Sequence, residues 1–313
     1  MPNNSPFSIF NSPFQTERTT QNRVIALFRD ELGYRFLGDW TARANSNIDE
    51  NLLAAWLARR GHGKTHIAVA LHKLRTEAGH HDRSLYGNNQ AVYGLLRYGV
   101  PAKTEAGKTT ETVHLIDWQH PEQNDFALAE EVTLKGGHER RPDLVLYLNG
   151  IAVGVIELKN SRVSIGDGIR QLLSNQQKEF NEWFFTTVQI VFAGNDSEGL
   201  QYGAIGTPEK MFLKWKEDEA DNSRFKLDKY LLKLCAKPRL IELIHDFVLF
   251  DGGVKKLPRA HQYFGIKAAQ EHIRRKRGGI IWHTQGSGKS IVMVLLAKWI
   301  LEDNPNARVV IVT

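Results

Sequence analysis

The chain has 313 residues, of which 42% are hydrophobic and 24% charged, and this composition excludes a wholly disordered or collagen-like protein. Domains usually contain about 100–200 residues, so the length predicts two domains. The net charge of +6 slightly favours polyanionic partners, and the single cysteine, Cys235, excludes an internal disulfide. No apolar run reaches the roughly 18–20 residues of a membrane span and no secretory signal is evident, so we expect no membrane contact and a cytoplasmic location.

Helical and strand patterns alternate along most of the chain. Residues 1–16 lack periodicity and are predicted to form a loose arm, and residues 101–111 a polar surface loop. Apolar residues three and four positions apart predict helices, whereas short runs of β-type residues predict strands. The predicted helices cover residues 16–32, 47–75 with a break at 60–63, 167–183 and 230–250. The predicted strands cover residues 113–118, 129–134, 144–148, 151–158 and 188–193.

A further unit is predicted to begin near Val254. Its pattern predicts a helix over 262–274, a strand over 279–282, a glycine-rich loop, a helix over 290–301 and a strand over 308–312. The loop, HTQGSGKS at residues 283–290, lies between a strand and a helix, which is the order that a phosphate-binding P-loop requires. Glycines allow the sharp turn, and the helix N-terminus supplies unpaired N–H groups. His283 stands where the strict pattern has glycine, and the alternative is a glycine-rich turn with an exposed lysine.

In the P-loop interpretation, Lys289 contacts the β- and γ-phosphates of ATP, and the Ser290 hydroxyl coordinates the Mg²⁺ of the nucleotide. A similar string, GHGKT at residues 61–65, follows a helical pattern instead of a strand. We therefore predict that it is a break between two helices with Lys64 exposed. The predicted ATP-binding residues are Gly286, Ser287, Gly288, Lys289 and Ser290.

A second candidate site combines Asp143 with Glu157 and Lys159, on either side of an Asn149-Gly150 turn. Glu157 and Lys159 project on the same face of a strand, because side chains alternate. Both residues lie in an apolar run, IAVGVIELK at residues 151–159, where unpaired charge is costly. Two adjacent carboxylates repel each other unless a cation such as Mg²⁺ bridges them. A lysine beside them can position the water that attacks a phosphodiester. The alternative is an edge hairpin whose charged side chains are solvated.

The register of this hairpin tests the hypothesis. A two-residue loop at Asn149-Gly150 would pair Asp143 with Ile156 and place Asp143 and Glu157 on opposite faces of the sheet. A single bulge, or a three-residue loop, would place Asp143 directly opposite Glu157. We therefore predict a bulged or three-residue turn, with Asp143 and Glu157 as the Mg²⁺ ligands and Lys159 as their catalytic partner.

Two further side chains are candidate accessories of this site. Gln171 lies in the helix predicted for residues 167–183, where it is a candidate to contact the DNA backbone or to position Lys159. Glu17, at the start of the first predicted helix, is a candidate for a further acidic group. For each of them the alternative is a solvated surface residue.

The combination of these motifs resembles the R subunit of type I restriction–modification enzymes, which carries nuclease and translocase activities. The similarity covers the chain from about residue 16 to residue 313, and the last two matching stretches together are specific, because a generic helicase would not be expected to contain both. The stretches are 115–126 (LIDWQHPEQNDF), 136–148 (GGHERRPDLVLYL), 149–160 (NGIAVGVIELKN), 254–264 (VKKLPRAHQYF) and 278–290 (GGIIWHTQGSGKS).

The resemblance implies an α/β fold with two parts. Residues 1–245 would form a PD-(D/E)xK nuclease-like mixed sheet with flanking helices, and residues 246–313 would begin a superfamily 2 RecA-like P-loop motor domain. The family often has a Gln-x-x-x-Tyr motif, of which Gln171 is present but position 175 is Asn. Gln262 falls where such motors often contact adenine, and the alternative is a surface glutamine at a helix start.

The function implied by the resemblance is Mg²⁺-dependent cleavage of unmodified double-stranded DNA, coupled to ATP-driven translocation. Mg²⁺ and ATP would be the cofactors, and methyltransferase and specificity subunits the protein partners. No acidic metal-binding strand follows the glycine-rich loop within the 313 residues, so we expect an N-terminal fragment that is inactive or nearly inactive as an ATPase. One alternative is a P-loop nucleotide-binding protein without nuclease activity, and another is a non-enzymatic DNA-binding module.

Overall fold

The structure is a computed structural model that describes residues 16–103 and 109–312. The arm predicted for residues 1–16 lies outside the described residues except for residue 16. Residues 104–108, in the middle of the loop predicted for 101–111, also lie outside them. None of the described helices is long and apolar enough to cross a membrane. The helices are α1 (Glu17–Ala26), α2 (Glu50–Arg59), α3 (Lys64–Ala78), α4 (Leu85–Tyr98), α5 (Ile165–Asn175), α6 (Glu182–Phe185), α7 (Lys226–Cys235), α8 (Lys237–Asp246), α9 (Ala260–Arg274) and α10 (Lys289–Asp303). The strands are β1 (Arg35–Asp39), β2 (Val100–Ala102), β3 (Glu111–Val113), β4 (Phe126–Glu130), β5 (Leu144–Leu148), β6 (Ile151–Leu158), β7 (Ile190–Asn195), β8 (Gly199–Gly203), β9 (Leu213–Lys214), β10 (Leu249–Asp251) and β11 (Val254–Lys256).

Strands between Arg35 and Lys214 form a seven-stranded mixed sheet, in the order β1-β4-β5-β6-β7-β8-β9. The pairs β1/β4 and β6/β7 are parallel, and the other neighbours are antiparallel. Leu144 and Leu146 of β5 enter one hydrophobic core with α2, α4, α7 and α8, whereas Val145 and Tyr147 enter a second core with α5 and α6. Because helices cover both faces, the central strands are mostly apolar, with Glu130 and Glu157 as buried exceptions. The predicted mixed sheet with flanking helices is confirmed.

The central hairpin, β5 and β6, contains the predicted bulge. Asn149 and Gly150 both have positive φ, at 54° and 87°, and form a two-residue turn. Next to the turn, Leu148 pairs with Ile151 and Tyr147 with Ala152, but Leu146 then pairs with Gly154. Val153 is therefore the extra residue, and every pair beyond it is displaced by one position. Of the two predicted alternatives, a single bulge or a three-residue loop, the structure shows the bulge, next to a two-residue turn.

The helices that were predicted in the first half begin and end close to their predicted positions. Thr16 caps α1 by accepting a hydrogen bond from the Thr19 amide at 3.2 Å, and a π-helical segment, Leu27–Glu31, extends it toward Gly33. The predicted break within 47–75 separates α2 from α3. The prediction of a loop over 101–111 is wrong at its ends, because Val100–Ala102 and Glu111–Val113 pair as a short antiparallel ribbon.

Two helices that the periodicity predicts as continuous are interrupted. The helix predicted for 230–250 is split at Ala236, because Pro238 is tolerated in the first turn of α8 but not inside a longer helix. The helix predicted for 167–183 ends at Asn175. The following loop packs on Gly136 and Gly137, where an added Cβ would lie 2.5 Å and 2.3 Å from the carbonyl oxygens of residues 180 and 179. These contacts from a distant part of the chain shape the loop.

Two strand predictions in the first part have the wrong bounds. Of the strand predicted over 113–118, only Val113 is in a strand. The strand predicted over 129–134 begins earlier, at Phe126, and ends at Glu130. Glu131 has a φ of 51°, which is incompatible with an extended strand and explains this end.

The strands predicted over 279–282 and 308–312 are absent, and the βαβ unit expected around the glycine-rich loop is therefore not formed. A strand requires a hydrogen-bonded neighbour, and neither segment is paired with another described strand. Their apolar side chains are correspondingly open to solvent, with Ile280 and Val312 each 90% exposed. The helices on either side of the loop, α9 and α10, are formed.

Candidate functional site

Asp143 and Glu157 face each other at the end of the central hairpin that lies away from its turn. Beyond the bulge Leu144 pairs with Ile156, so Asp143 comes opposite Glu157. The Leu158 amide donates a hydrogen bond of 2.6 Å to Asp143 Oδ2. Asp143 is 8% exposed and Glu157 is fully buried. Because β5 and β6 are the third and fourth of seven strands, the alternative of an edge hairpin with solvated charges is wrong.

Lys159 completes the group of side chains. Its Nζ donates a hydrogen bond of 2.9 Å to Glu157 Oε1 and lies 3.9 Å from Glu17 Oε1. The side chain of Lys159 is 12% exposed. The second carboxylate oxygen of Glu157, Oε2, is buried and accepts no hydrogen bond from another described residue. The structure thus brings together Asp143, Glu157, Lys159 and Glu17, all four of which the sequence singled out.

The surroundings of these groups change their acidity. Burial raises the pKa of Asp143 to about 7, although the hydrogen bond from Leu158 acts in the opposite direction. Burial, together with the charge of Asp143, raises the pKa of Glu157 well above its usual range. Burial disfavours the charged form of Lys159, but the charge of Glu157 and its hydrogen bond outweigh this effect and raise the pKa of Lys159. The carboxylate pair is therefore unfavourable in its fully ionised form without an added positive charge.

The carboxylate pair fits a divalent cation in its chemistry. A buried oxygen without a hydrogen bond needs a partner, and Glu157 Oε2 is such an atom. Mg²⁺ is typically held by one or two carboxylates together with waters and substrate phosphates. Within the described residues, no three His, Cys, Asp or Glu side chains are grouped closely enough to hold a metal. Asp143 and Glu157 supply two carboxylates side by side.

Helix α5 packs directly against this group. A Cβ added at Gly168 would lie 3.5 Å from Lys159 Cγ and 3.6 Å from Glu157 Cγ. Gln171 lies one turn further along α5 and is half-buried, and its side chain makes no hydrogen bond with another described residue. Its role as an accessory stays a prediction. Asn175 is fully buried, and its amide atoms find no hydrogen-bond partner in the described part of the chain. A side chain buried in this way does not offer its amide to DNA.

The sequence did not single out the residues that connect α1 to Asp143. Gln21 is 2% exposed, and its Nε2 lies 3.2 Å from Glu130 Oε2 and 3.0 Å from Glu131 Oε1. It also lies 3.5 Å from the carbonyl oxygen of Asp143. The spacing of Gln21 from Glu17, four residues on one helix, is the signal that could have found it, because such residues share a face.

The glycine-rich loop has the backbone that its sequence predicts, although the strand before it is missing. Gly286 and Gly288 have φ values of 74° and 83°, and Gly288 is the residue before α10. Lys289 is exposed and its Nζ lies 3.4 Å from the carbonyl oxygens of His283 and Thr284. Ser290 is also exposed. The loop therefore places Lys289 and Ser290 at a helix N-terminus, where N–H groups and partial positive charge favour an anion.

Gln262 lies directly beside this loop. Its Nε2 donates to the Ser287 and Gly288 carbonyl oxygens at 3.0 Å and 3.3 Å, and its Oε1 accepts from the Arg259 amide at 2.8 Å. The φ of 83° at Gly288 favours glycine, and a Cβ added there would meet the end of the Gln262 side chain. A cavity of about 290 Å³ adjoins the loop, and its opposite wall comes from residues 203–213. Adenine contact by Gln262 stays a prediction.

The GHGKT string at residues 61–65 is a break between helices, as predicted. It follows α2 instead of a strand, and Gly63 is the residue before α3. Lys64 is exposed. The string therefore lacks the strand-to-loop order of a P-loop.

Comparisons with known proteins bear on both parts of the chain. A family model described as the N terminus of the type I restriction enzyme R protein matches residues 14–210. A second family model, described as SWI2/SNF2 ATPase, matches residues 261–313. The first match contains the carboxylate group, and the second contains the glycine-rich loop and Gln262.

Curated relatives agree with the first match. The endonuclease subunit of the type I restriction enzyme HindI from Haemophilus influenzae is 30% identical over 251 residues, which cover 72% of this chain and 24% of that protein. The putative MjaIXP endonuclease subunit from Methanocaldococcus jannaschii is 27% identical over 272 residues, which cover 74% of this chain and 25% of that protein. The chain thus spans about a quarter of the length of these relatives.

Proposed function

The chain belongs to the family of type I restriction enzyme R proteins, and we propose that Asp143, Glu157 and Lys159 form the active site of a Mg²⁺-dependent endonuclease that cuts unmodified double-stranded DNA. The proposal is carried by one observation: two buried carboxylates face each other beside a lysine, and one carboxylate oxygen, Glu157 Oε2, has no hydrogen-bond partner among the described residues. We also propose that the sheet around this site is a PD-(D/E)xK nuclease fold.

Each side chain has a distinct part in the proposed reaction. Asp143 and Glu157 would hold Mg²⁺, which, when bound, lowers the pKa of water and stabilises charge that develops on a phosphate. Lys159 carries a positive charge next to both carboxylates, where its ammonium group can donate a hydrogen bond to a phosphodiester oxygen or orient the attacking water. Glu17 and Gln171 are proposed accessories at the margin of the site.

For the second part of the chain, we propose ATP binding at the glycine-rich loop. Lys289 and Ser290 would contact the phosphates and their Mg²⁺, together with the backbone of Gly286, Ser287 and Gly288. The match to SWI2/SNF2 ATPases over residues 261–313 supports this assignment. We place the boundary between nuclease and motor units at residues 245 and 246, with the second unit as the start of a superfamily 2 motor.

The remaining proposals concern the whole protein. In the full-length protein, ATP hydrolysis would drive DNA translocation and would be coupled to cleavage, and methyltransferase and specificity subunits would be its partners. We propose that this assembly acts in the cytoplasm. The family membership of the chain supports these proposals.

The test is DNA cleavage by the full-length protein assembled with its partner subunits. Glu157→Gln and Lys159→Ala should each abolish Mg²⁺-dependent cleavage of unmodified plasmid DNA while ATP hydrolysis continues. Glu122→Gln is the matched control, because Glu122 is an exposed glutamate at the opposite end of the hairpin, and it should cut like the parent. Unchanged cleavage by Glu157→Gln would favour a nucleotide-binding protein in which this site is structural.

A further inference from the structure

We propose that Gln21 is a positioning residue for the carboxylate pair, acting through the backbone and side chains at the junction of β4 and β5. The inference rests on the proposed function, because it assumes that Asp143 and Glu157 hold a divalent cation. Gln21 would not touch the cation or the DNA. It would hold in place the segment from which Asp143 projects.

Gln21 connects three groups around Asp143. Its Nε2 carries two hydrogens and lies within 3.5 Å of three acceptor oxygens, those of Glu130, Glu131 and the Asp143 backbone. Arg18, one turn earlier on α1, also contacts Glu130, at 2.7 Å. Helix α1 thus spans the site, with Glu17 near Lys159 and Gln21 behind Asp143.

The backbone conformation of Glu131 explains why the contacts of Gln21 are needed. Its φ of 51° lies in the left-handed region, which a residue with a side chain adopts only when its surroundings hold it there. In this conformation its amide donates a hydrogen bond of 2.9 Å to the Asp143 carbonyl oxygen. Gln21 holds one carboxylate oxygen of Glu131, and Arg141 approaches the other at 3.0 Å. Glu131, which follows β4 and hydrogen-bonds to the Asp143 backbone, is therefore held from both sides.

A neutral donor suits this position. Glu130 is 7% exposed and its carboxylate needs donors, but a second full positive charge beside Arg18 would compete with a cation at the neighbouring carboxylate pair. The amide of Gln21 supplies hydrogens without adding charge. Methionine has a similar length and no donor, so Gln21→Met removes the hydrogen bonds and keeps most of the packing.

The experiment measures binding of Mn²⁺, an oxygen-seeking probe, to the 313-residue chain by the electron paramagnetic resonance signal of the free ion. Gln21→Met should weaken Mn²⁺ binding about 10-fold, which is the usual lower limit for loss of a group that supports a metal ligand. Thr20→Val is the matched control. It removes a partly buried hydrogen bond of the same helix, from Thr20 Oγ1 to Asp196, which lies outside the carboxylate pair. It should lower the melting temperature and leave Mn²⁺ affinity unchanged.

Asp143→Asn separates the two proposals. If it weakens Mn²⁺ binding while Gln21→Met only lowers the melting temperature, the metal site stands and the positioning role of Gln21 is refuted. If Asp143→Asn binds Mn²⁺ like the parent, both proposals are refuted.

A double-mutant cycle tests the route through Glu131 and does not depend on the stability of a single variant. If Gln21 acts through Glu131, the combination of Gln21→Met with Glu131→Gln should weaken Mn²⁺ binding less than the product of the two single effects. Strictly multiplicative effects would refute this route.

Discussion

Short motifs predicted both the carboxylate group and the glycine-rich loop, yet the two regions differ strongly in strand pairing and in burial. Around Asp143 and Glu157, strands pair on both sides, the register is set by a bulge, and helices cover both faces. Around the glycine-rich loop, α9 and α10 are formed but the flanking segments, 279–282 and 308–312, pair with no described strand. Asp143 is 8% exposed, whereas Trp282, next to the loop, is 88% exposed.

The difference shows which features of a site are local. Positive φ at Gly286 and Gly288 needs only glycine and the start of a helix, so the loop keeps its backbone without a sheet. A buried carboxylate pair needs a complete low-dielectric environment, because burial is the largest cause that raises the pKa values of Asp143 and Glu157. The following predictions test this contrast, in order of decreasing expected effect.

The largest effect is expected at Lys289. In the full-length protein, Lys289→Ala should reduce ATP hydrolysis by at least about 100-fold, because the lysine stabilises charge on the transferred phosphate. We expect metal binding at the carboxylate pair to be unchanged. The measurements are phosphate release and Mn²⁺ binding.

Lys64→Ala provides the control for Lys289→Ala. Lys64 is also exposed and follows a His-Gly pair, but it starts α3 after a helix instead of a strand. It should hydrolyse ATP at the parental rate. Loss of metal binding in Lys289→Ala would contradict the independence of the two regions.

A buried lysine joins the two regions. Lys255, on the hairpin that precedes α9, is fully buried between α4 and the segment before β7, and its Nζ donates to Asn89 Oδ1 at 2.8 Å and Gln189 Oε1 at 2.7 Å. Lys255→Met should destabilise the chain by about 3 kcal/mol, because two interior amide oxygens lose their donor. Urea unfolding measures this effect.

Lys256→Met is the matched control, because Lys256 is the next residue and pairs with Asp251 at the surface. It should change stability by less than about 0.5 kcal/mol. A stabilising effect of Lys255→Met would mean that burial of the ammonium group outweighs its hydrogen bonds.

The next effect concerns pH. Because burial raises the pKa of Asp143 to about 7, the folded chain retains a proton that the unfolded chain releases between about pH 4 and pH 7. The parent therefore loses stability as the pH rises through this window, whereas an asparagine does not titrate. In the presence of a chelator, Asp143→Asn should be more stable than the parent by a few kcal/mol above pH 8, and equal to it near pH 4.

Asp125→Asn serves as the comparison, because Asp125 pairs with Arg35 near the other end of the hairpin. It should show no stabilisation at high pH. Equal stabilities of Asp143→Asn and the parent across the pH range would mean that the surroundings of Asp143 do not disfavour its charge.

The smallest effect is expected from a comparison of two valines, each replaced by alanine. Val145 is fully buried in β5, whereas Val310 is 83% exposed in a segment without strand pairing. Val145→Ala should cost about 2 kcal/mol in the free energy of unfolding, and Val310→Ala less than about 0.5 kcal/mol. A comparable loss in Val310→Ala, measured by urea unfolding, would show that the segment 308–312 is packed.

Elements with strong local signals were predicted well. The β5–β6 hairpin has an Asn-Gly turn between two apolar runs, and α1 to α3 have clear periodicity and breaks. Helix α4 was not predicted, because two glycines and two asparagines weaken its helical pattern. Asn89 is held by tertiary contacts instead, since its Nδ2 donates to the carbonyl oxygens of Phe185, Thr186 and Val188. Strands β1 and β8 also lacked a recognisable pattern.

In the candidate site, the sequence predicted the residues that belong to chemical motifs, but it did not predict the residues that hold those side chains in place. Asp143, Glu157, Lys159 and Glu17 were identified and lie together. Gln21 and Glu131 carry no motif, and their role depends on the left-handed φ of Glu131, which its residue type does not indicate. The catalytic and ATP-binding roles of all these residues stay predictions.

The sequence alone determined the central hairpin, the helices α1 to α3 and the identity of the two motifs, because these depend on neighbours along the chain and on the alternation of side chains. Only the tertiary structure decided that Asp143 and Glu157 are buried, that α1 brings Glu17 and Gln21 to them, and that the segments beside the glycine-rich loop remain unpaired. The reason is physical: burial, ion pairing and strand formation each require partners that are distant in sequence, and a local pattern can propose such partners but cannot supply them.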